Sequence, residues 1–265
     1  MRTHKLILSI GFLLAACILA YVSFMYVYTD HMFAPVTPLQ EASMLSAYQN
    51  WSVPLTPFIH KVNTPQRARR KDGRFNGFEV DIFPYQGEIL VAHDSTEALR
   101  DVKLPDIFTA IKNPVEKVWW LDVKGDLTFE EIDRILHLAA RYNIPTSHLL
   151  FEVSPGETAK RINRKNLSLL LPLPDGFDED HNDPNTRAKL NAKVSALWEE
   201  YKPLAISASF GKYAYLRTYF PNIPKAIYYS ATQRPSIKKS FMRRHMGRDS
   251  SVKIFMTDEY NWINL

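Results

Sequence analysis

The sequence predicts an α/β fold, a (β/α)8 TIM barrel preceded by one N-terminal transmembrane helix. Three observations carry this. Eight short, apolar, β-rich runs alternate with amphipathic helical stretches over residues 56–265, as βα units closing a parallel sheet would. Polar residues gather at the C-terminal ends of those runs, where barrels of this class keep their chemistry. An uncharged run, Leu6 to Tyr28, precedes them all. An open doubly wound sheet is the competing arrangement. No G-x-G-x-x-G or Walker A loop supports a nucleotide site.

Taken in chain order, Leu6–Tyr28 would rise roughly 35 Å as a helix, enough for a bilayer core of about 30 Å. Arg2 and Lys5 precede it, and Asp30 and His31 follow. By the positive-inside rule the N-terminus stays cytoplasmic and the rest is exported, to the periplasmic face of the inner membrane in a bacterium. Tyr21, Tyr26 and Tyr28 stand at the far end, as an aromatic belt does. Residues 1–30 thus read as a signal anchor. A cleaved signal peptide would have a shorter apolar core, about 7–15 residues. Leu14-Ala15-Ala16-Cys17 resembles a lipobox that would lipidate Cys17, although the chain stays apolar beyond it. Residues 31–55 read as a linker with one short helix, Leu39–Asn50.

The expected strands are Pro57–His60, Gly77–Ile82, Val118–Val123, Leu149–Val153, Leu167–Leu171, Ala205–Ala208, Lys225–Tyr229 and Lys253–Met256. Ile89–Ala92 makes an extra hairpin arm on the second. Several are continuously apolar, as buried parallel strands are. Leu104-Pro105-Asp106 opens a helix with Pro in its first turn. Thr128 opens another to about Tyr142, with Phe129, Ile132, Ile135, Leu136 and Ala139 at helical spacing. Ser154-Pro155-Gly156-Glu157 reads as a cap with a capping-box Glu. Thr186–Tyr201, Tyr213–Phe220 and Ser236–His245 supply three more.

The composition, 46% hydrophobic and 23% charged, is that of a globular chain. One Cys excludes a disulfide framework and a Cys-based zinc site. A net charge of +5 suits contact with anionic lipid or phosphate but is too small to imply nucleic acid.

At the strand ends the polar residues follow an order. His60 closes the first strand, followed by Lys61, Val62 and Asn63. Glu79 and Asp81 lie on the second, and His93-Asp94 follow its arm. Asp122 and Lys124 end the third, Glu152 the fourth, Ser207 and Ser209 the sixth, and Thr257-Asp258 the eighth. Glu79 and Asp81, two apart, share one face of their strand. Two carboxylates among apolar neighbours repel each other and lose hydration, and a divalent cation relieves both. Asp122 on the next strand adds a third oxygen, a set that suits Mg²⁺ or Ca²⁺. Lys124 projects with Asp122 and can hold a phosphate oxygen or a carboxylate. His60 and His93 can then serve as base and acid. Lys61, Asn63 and Glu152 complete the candidate substrate contacts.

The stretches FIHKVNTPQRA, FNGFEVDIFPYQGEILVAHD and VWWLDVKGD, residues 58–126, resemble the phospholipase C-like phosphodiesterase superfamily of (β/α)8 barrels. That superfamily includes glycerophosphodiester phosphodiesterases, sphingomyelinase D-type phospholipases and menorin-like proteins. FMTDEYNWI resembles its closing strand. The resemblance implies metal ligands at Glu79, Asp81 and Asp122, catalytic histidines at His60 and His93, and a phosphate contact at Lys124. In the glycerophosphodiesterase branch it implies attack by a neighbouring hydroxyl on phosphorus to give a cyclic phosphate. The chain departs from that branch at His60-Lys61-Val62-Asn63, where His-Arg-Gly is usual, and at Asp122, where Glu is usual. H-x-V-N and D-x-K are closer to the sphingomyelinase D and menorin-like branches.

Two basic clusters remain. Arg67, Arg69, Arg70, Lys71 and Arg74 follow the first histidine, and Lys238, Lys239, Arg243, Arg244 and Arg248 precede the last strand. They are either solvated helix faces or a means of drawing anionic headgroups towards the barrel mouth. The expected activity is therefore a membrane-tethered, metal-dependent phosphodiesterase acting on a glycerophosphodiester or (lyso)phospholipid headgroup. A catalytically silent extracytoplasmic binding module is the alternative. A glycosidase using Glu79 and Glu152 is a third, requiring two carboxylates about 5–10 Å apart with no metal between them.

Overall fold

The computed structural model describes residues 2–32, 58–98, 101–174, 184–229 and 245–257. The expected linker and its helix Leu39–Asn50 lie outside these residues. So do Asp258, most of Ser236–His245, and the basic residues Lys238, Lys239, Arg243 and Arg244.

Eight strands run parallel and close on themselves. They are β1 (Phe58–Ile59), β2 (Gly77–Tyr85), β4 (Val118–Val123), β5 (Leu149–Glu152), β6 (Ser168–Pro172), β7 (Ala205–Ser209), β8 (Lys225–Tyr228) and β9 (Val252–Thr257). Closure is shown by β1, which pairs in parallel with both β2 and β9. That excludes the open doubly wound sheet. β3 (Glu88–Leu90) folds back antiparallel on β2, with Phe83 opposite Leu90, as the expected hairpin arm.

The helices between the strands form for local reasons. α2 (Pro65–Lys71) starts behind Thr64, whose hydroxyl accepts from the Arg67 amide, with Pro at its first position. α3 (Ser95–Ala98) is a single turn. α4 (Leu104–Thr109) opens with the Lys103 amide donating to Asp106 Oδ2 at 2.8 Å. α5 (Phe129–Arg141) has a capping box, with the Glu131 amide donating to Thr128 Oγ1 and the Thr128 amide to Glu131 Oε2. It buries Ile132, Ile135 and Ala139 against the sheet but leaves Phe129 exposed under the Lys165 ammonium. α6 (Glu157–Arg164) differs from expectation: it starts behind Gly156, and Ser154 makes no cap. Ser154 turns to the barrel mouth instead. α7 (Pro184–Tyr201) and α8 (Tyr213–Tyr219) complete the outer layer.

Alternation along each strand builds two cores. Outward residues such as Phe78, Val80, Trp119, Leu121 and Phe151 pack under the helices. Inward residues Phe58, Val118, Trp120, Leu150, Leu170, Ala205, Ala226, Ile254 and Met256 fill the barrel. Gly77 is required there. A Cβ on it would meet the Phe58 ring at 2.4 Å. The packed floor leaves the upper interior to polar side chains.

α1 (Arg2–Met32) is one continuous helix of 31 residues. Ile10, Phe12, Leu13, Leu14, Ile18, Leu19 and Phe24 expose their side chains on it, and Cys17 is exposed too. Among the residues with described side chains, no helix is long and apolar enough to cross a membrane.

Candidate functional site

The register of three neighbouring strands assembles the site. Asp81 of β2 pairs with Asp122 of β4, which pairs with Glu152 of β5. All three point inward at one level, with Glu79 one pleat below Asp81. The ligand oxygens of Glu79, Asp81 and Asp122 lie within 4.8 Å of one another. Two oxygens bound to one Mg²⁺ or Ca²⁺ at 2.0–2.6 Å stand no more than about 4–5 Å apart, so this donor set fits a hard divalent cation.

Lys124 reaches into the same cluster. Its Nζ lies 2.6 Å from Asp122 Oδ2 and 3.3 Å from Asp81 Oδ1. Burial acts to lower the pKa of this ammonium, but Asp122 and Asp81 override it and hold it above the usual value. Burial, and then the charges of Asp81 and Asp122, push Glu79 well above the usual carboxylate range. Burial also raises Asp122, against the pull of Lys124. Glu152 is pushed up to about 7 by burial and then by Asp122. Its oxygens accept hydrogen bonds from Trp120 Nε1 at 2.8 Å and from Ser207 Oγ. The carboxylates outnumber the one lysine that neutralises them, which is the imbalance a divalent cation corrects.

The loop after β1 braces the cluster. Lys61 adopts φ +54°, and this turn aims its amide at Glu79 Oε2. Asn63 donates from Nδ2 to Asp81 Oδ2 at 2.5 Å and accepts from the Asp81 amide at 3.0 Å. The structure thus ties Asn63 to a candidate ligand. His60 Nε2 lies 3.8 Å from Glu79 Oε2, and its ring stacks on Tyr228 at 6.3 Å. Arg67 donates to the His60 carbonyl at 2.9 Å. His93 is more exposed, with Nδ1 3.9 Å from Asp94 Oδ2. His60, Lys61, Glu79, Asp81, His93, Asp122, Lys124 and Glu152 all line one open cavity of about 440 Å³. Trp120, Pro172, Tyr228 and Met256 form its apolar wall.

Sequence reasoning did not assign Trp120 or Ser207 to the site. Trp120 carried a usable signal, since it precedes Asp122 by two and shares its inward face. Ser207 carried a weaker one, its place at a strand end, because its contact with Glu152 spans the intervening strand β6. Of the two readings of the first basic cluster, the geometry favours solvated helix faces. α2 leaves the mouth at Thr64 and runs back along the barrel wall, with Arg69 and Arg70 exposed on it and Arg67 bound to a mouth residue. Lys71 is buried and Arg74 lies at the opposite end, just before β2.

No family model and no curated protein sequence matches the chain. A solved structure does, that of a glycerophosphodiester phosphodiesterase from Parabacteroides distasonis. The match covers 77% of this chain and 92% of that one, with a TM-score of 0.50 and 9% identity. At that identity the likeness is one of fold: both chains wind the same barrel.

Proposed function

We propose that this barrel is a metal-dependent phosphodiester hydrolase of the phospholipase C-like phosphodiesterase type, held at a membrane by α1. Its substrate would be a glycerophosphodiester or a (lyso)phospholipid headgroup. The observation that carries the proposal is one cavity holding three convergent carboxylates, a lysine and two histidines. The barrel shared with a glycerophosphodiester phosphodiesterase supports it.

Glu79, Asp81 and Asp122 would hold Mg²⁺ or Ca²⁺, which supplies positive charge to the phosphoryl oxygens as they gain negative charge. Lys124 then exchanges a carboxylate for a phosphoryl oxygen, a charge-assisted hydrogen bond of the same kind. His60, oriented by Tyr228 and close to Glu79, accepts the proton of the attacking hydroxyl. His93, on the open side of the cavity, returns a proton to the leaving oxygen, which departs to solvent. Asn63 fixes the Asp81 carboxylate, and Ser207 and Trp120 fix Glu152. α1 anchors the chain with the barrel on the exported side, as the charges flanking its apolar run suggest.

A catalytically silent binding module is the second reading. It is favoured by Lys124, an internal counter-ion that would let the cluster persist without a metal. The glycosidase alternative fits poorly, because Glu79 converges with two other carboxylates instead of facing Glu152 across a gap.

The test is hydrolysis of bis(p-nitrophenyl) phosphate, glycerophosphodiesters and lysophospholipids by the EDTA-treated full chain, with and without Mg²⁺ or Ca²⁺. Activity restored by metal and abolished in Asp81→Ala and His60→Ala supports the enzyme. Absence of both hydrolysis and metal binding supports the silent module.

A further inference from the structure

Parallel strands sort the connecting segments by end. Those that leave strands form the mouth, and those that enter strands form the base. Six of the eight barrel strands are entered past an exposed cation: Arg74 before β2, Lys112 before β4, Arg141 before β5, Arg164 before β6, Lys202 before β7 and Arg248 before β9. Exposed carboxylates at that end are fewer among the described residues. Glu116 is one, and Glu199 and Glu200 close α7, where Glu200 pairs with Lys160 at 3.7 Å. The mouth has the opposite balance. Asp94, Asp126, Glu130 and Glu157 are exposed there, above the buried carboxylates of the cavity, against the exposed Lys61 and the Lys160 ammonium that lies 3.4 Å from Glu157. Among the described residues the barrel is therefore electrically polar along its axis, with a positive base and a mouth where exposed carboxylates exceed exposed cations.

Helix dipoles explain part of the pattern, since most of these cations stand at or just after a helix C-terminus. A helix end contributes only roughly half an elementary charge, so each such site stays net positive. A face of this kind is attracted to an anionic lipid surface, and the mouth is repelled by it. Chain connectivity adds a second, independent fact. β1 enters the barrel at the base, so the segment that follows the exposed apolar surface of α1 joins the barrel at its positive end.

We propose that the barrel base docks on the anionic bilayer that holds α1, with the cavity turned away from that surface. This rests on the reading of α1 as an anchor. The mouth then stands roughly 15 Å above the lipid, given the six residues Gly77–Ile82 of β2 in the barrel wall at about 3.3 Å each and the usual strand tilt. A headgroup in the bilayer beneath cannot reach Asp81 and Asp122 in that pose. The site then opens to the aqueous phase and takes a water-soluble phosphodiester.

The test uses the full chain with Cys17→Ser, reconstituted in phosphatidylcholine vesicles with or without about one third phosphatidylglycerol. A single dye is attached through Asn113→Cys at the base or Thr96→Cys at the mouth, and energy transfer to a headgroup-linked acceptor is read. Transfer from the base dye should exceed that from the mouth dye at least twofold in anionic vesicles. The difference should collapse in neutral vesicles, in about 0.5 M salt, and in the variant Lys112→Glu/Arg141→Glu/Arg164→Glu. That variant should still hydrolyse a soluble diester at the unaltered rate. Transfer independent of lipid charge, or stronger from Thr96→Cys, overturns the docking pose. A chain that fails to float with neutral vesicles removes the anchor and overturns it too. Hydrolysis of the soluble diester, measured on the same sample, bears only on the phosphodiesterase reading.

Discussion

Replacing Lys124 with methionine keeps an unbranched four-atom stem and deletes an ammonium group 2.6 Å from Asp122 and 3.3 Å from Asp81. The lysine and Asp122 side chains are each 23% exposed, and Asp81 only 3%. Breaking a fully buried ion pair from one side costs about 3–5 kcal/mol, and the partial exposure here reduces that to about 2–3 kcal/mol. In a domain of this size 1 kcal/mol moves the melting temperature by about 2–4 °C, so the variant in EDTA should melt about 5–10 °C below wild type. Saturating Mg²⁺ should remove most of that deficit, because the ion takes over the neutralisation. Calorimetric titration should show Mg²⁺ binding at least about tenfold tighter in Lys124→Met, equivalent to about 1.4 kcal/mol, since one positive neighbour is gone. Turnover should nevertheless fall by about 10²-fold, because a donor to the phosphoryl oxygen is lost. A variant that melts with wild type in EDTA and binds Mg²⁺ no more tightly would refute the reasoning that Lys124 balances the cluster.

Three further outcomes follow from the same geometry. Glu152 carries a pKa near 7 in the fold against 4.5 unperturbed, so its stabilising contribution is complete below the unperturbed value and is lost as pH rises through about 7. EDTA-treated protein should lose at most about 3 kcal/mol from this group between pH 5 and 8 in urea titrations, and Glu152→Gln should flatten that window; an unaltered profile in the variant would assign the effect elsewhere. Glu79 and Asp122 are raised in the metal-free fold, so the ion must displace protons and Mg²⁺ affinity should climb with pH through the acidic and neutral range, whereas a pH-independent dissociation constant contradicts the proposed ligand set. Gly77→Ala sets a methyl group against the Phe58 ring and should destabilise by about 1–3 kcal/mol through overpacking; Phe58→Leu in the same chain should recover part of that loss, and no recovery would place the strain away from the ring.

Much of the architecture is written locally. Alternation between β-rich runs and capped amphipathic helices marks each βα unit, and Thr128 with Glu131 announces α5 before any tertiary contact exists. The pleat alone places Glu79 and Asp81 on one face, and likewise Trp120 and Asp122. These signals are short-range because a strand's period and a helix's cap are properties of a few consecutive residues.

Other features have no such signature. Parallel pairing set the row Asp81, Asp122 and Glu152, and a slip of one residue in β4 or β5 would have turned Asp122 or Glu152 into the helix layer. The turn at Lys61 directed Asn63 onto Asp81, and the pairing of β5 and β7 with β6 brought Ser207 to Glu152. The direction of α2 carried Arg74 to the base, whereas its place in the sequence, soon after His60, suggested the mouth. Sequence by itself determined which residues share a strand face and where each helix begins. Only the tertiary structure decided which faces meet, at what level, and at which end of the barrel each charge is displayed, because register, closure and handedness arise from pairing between segments far apart in the chain.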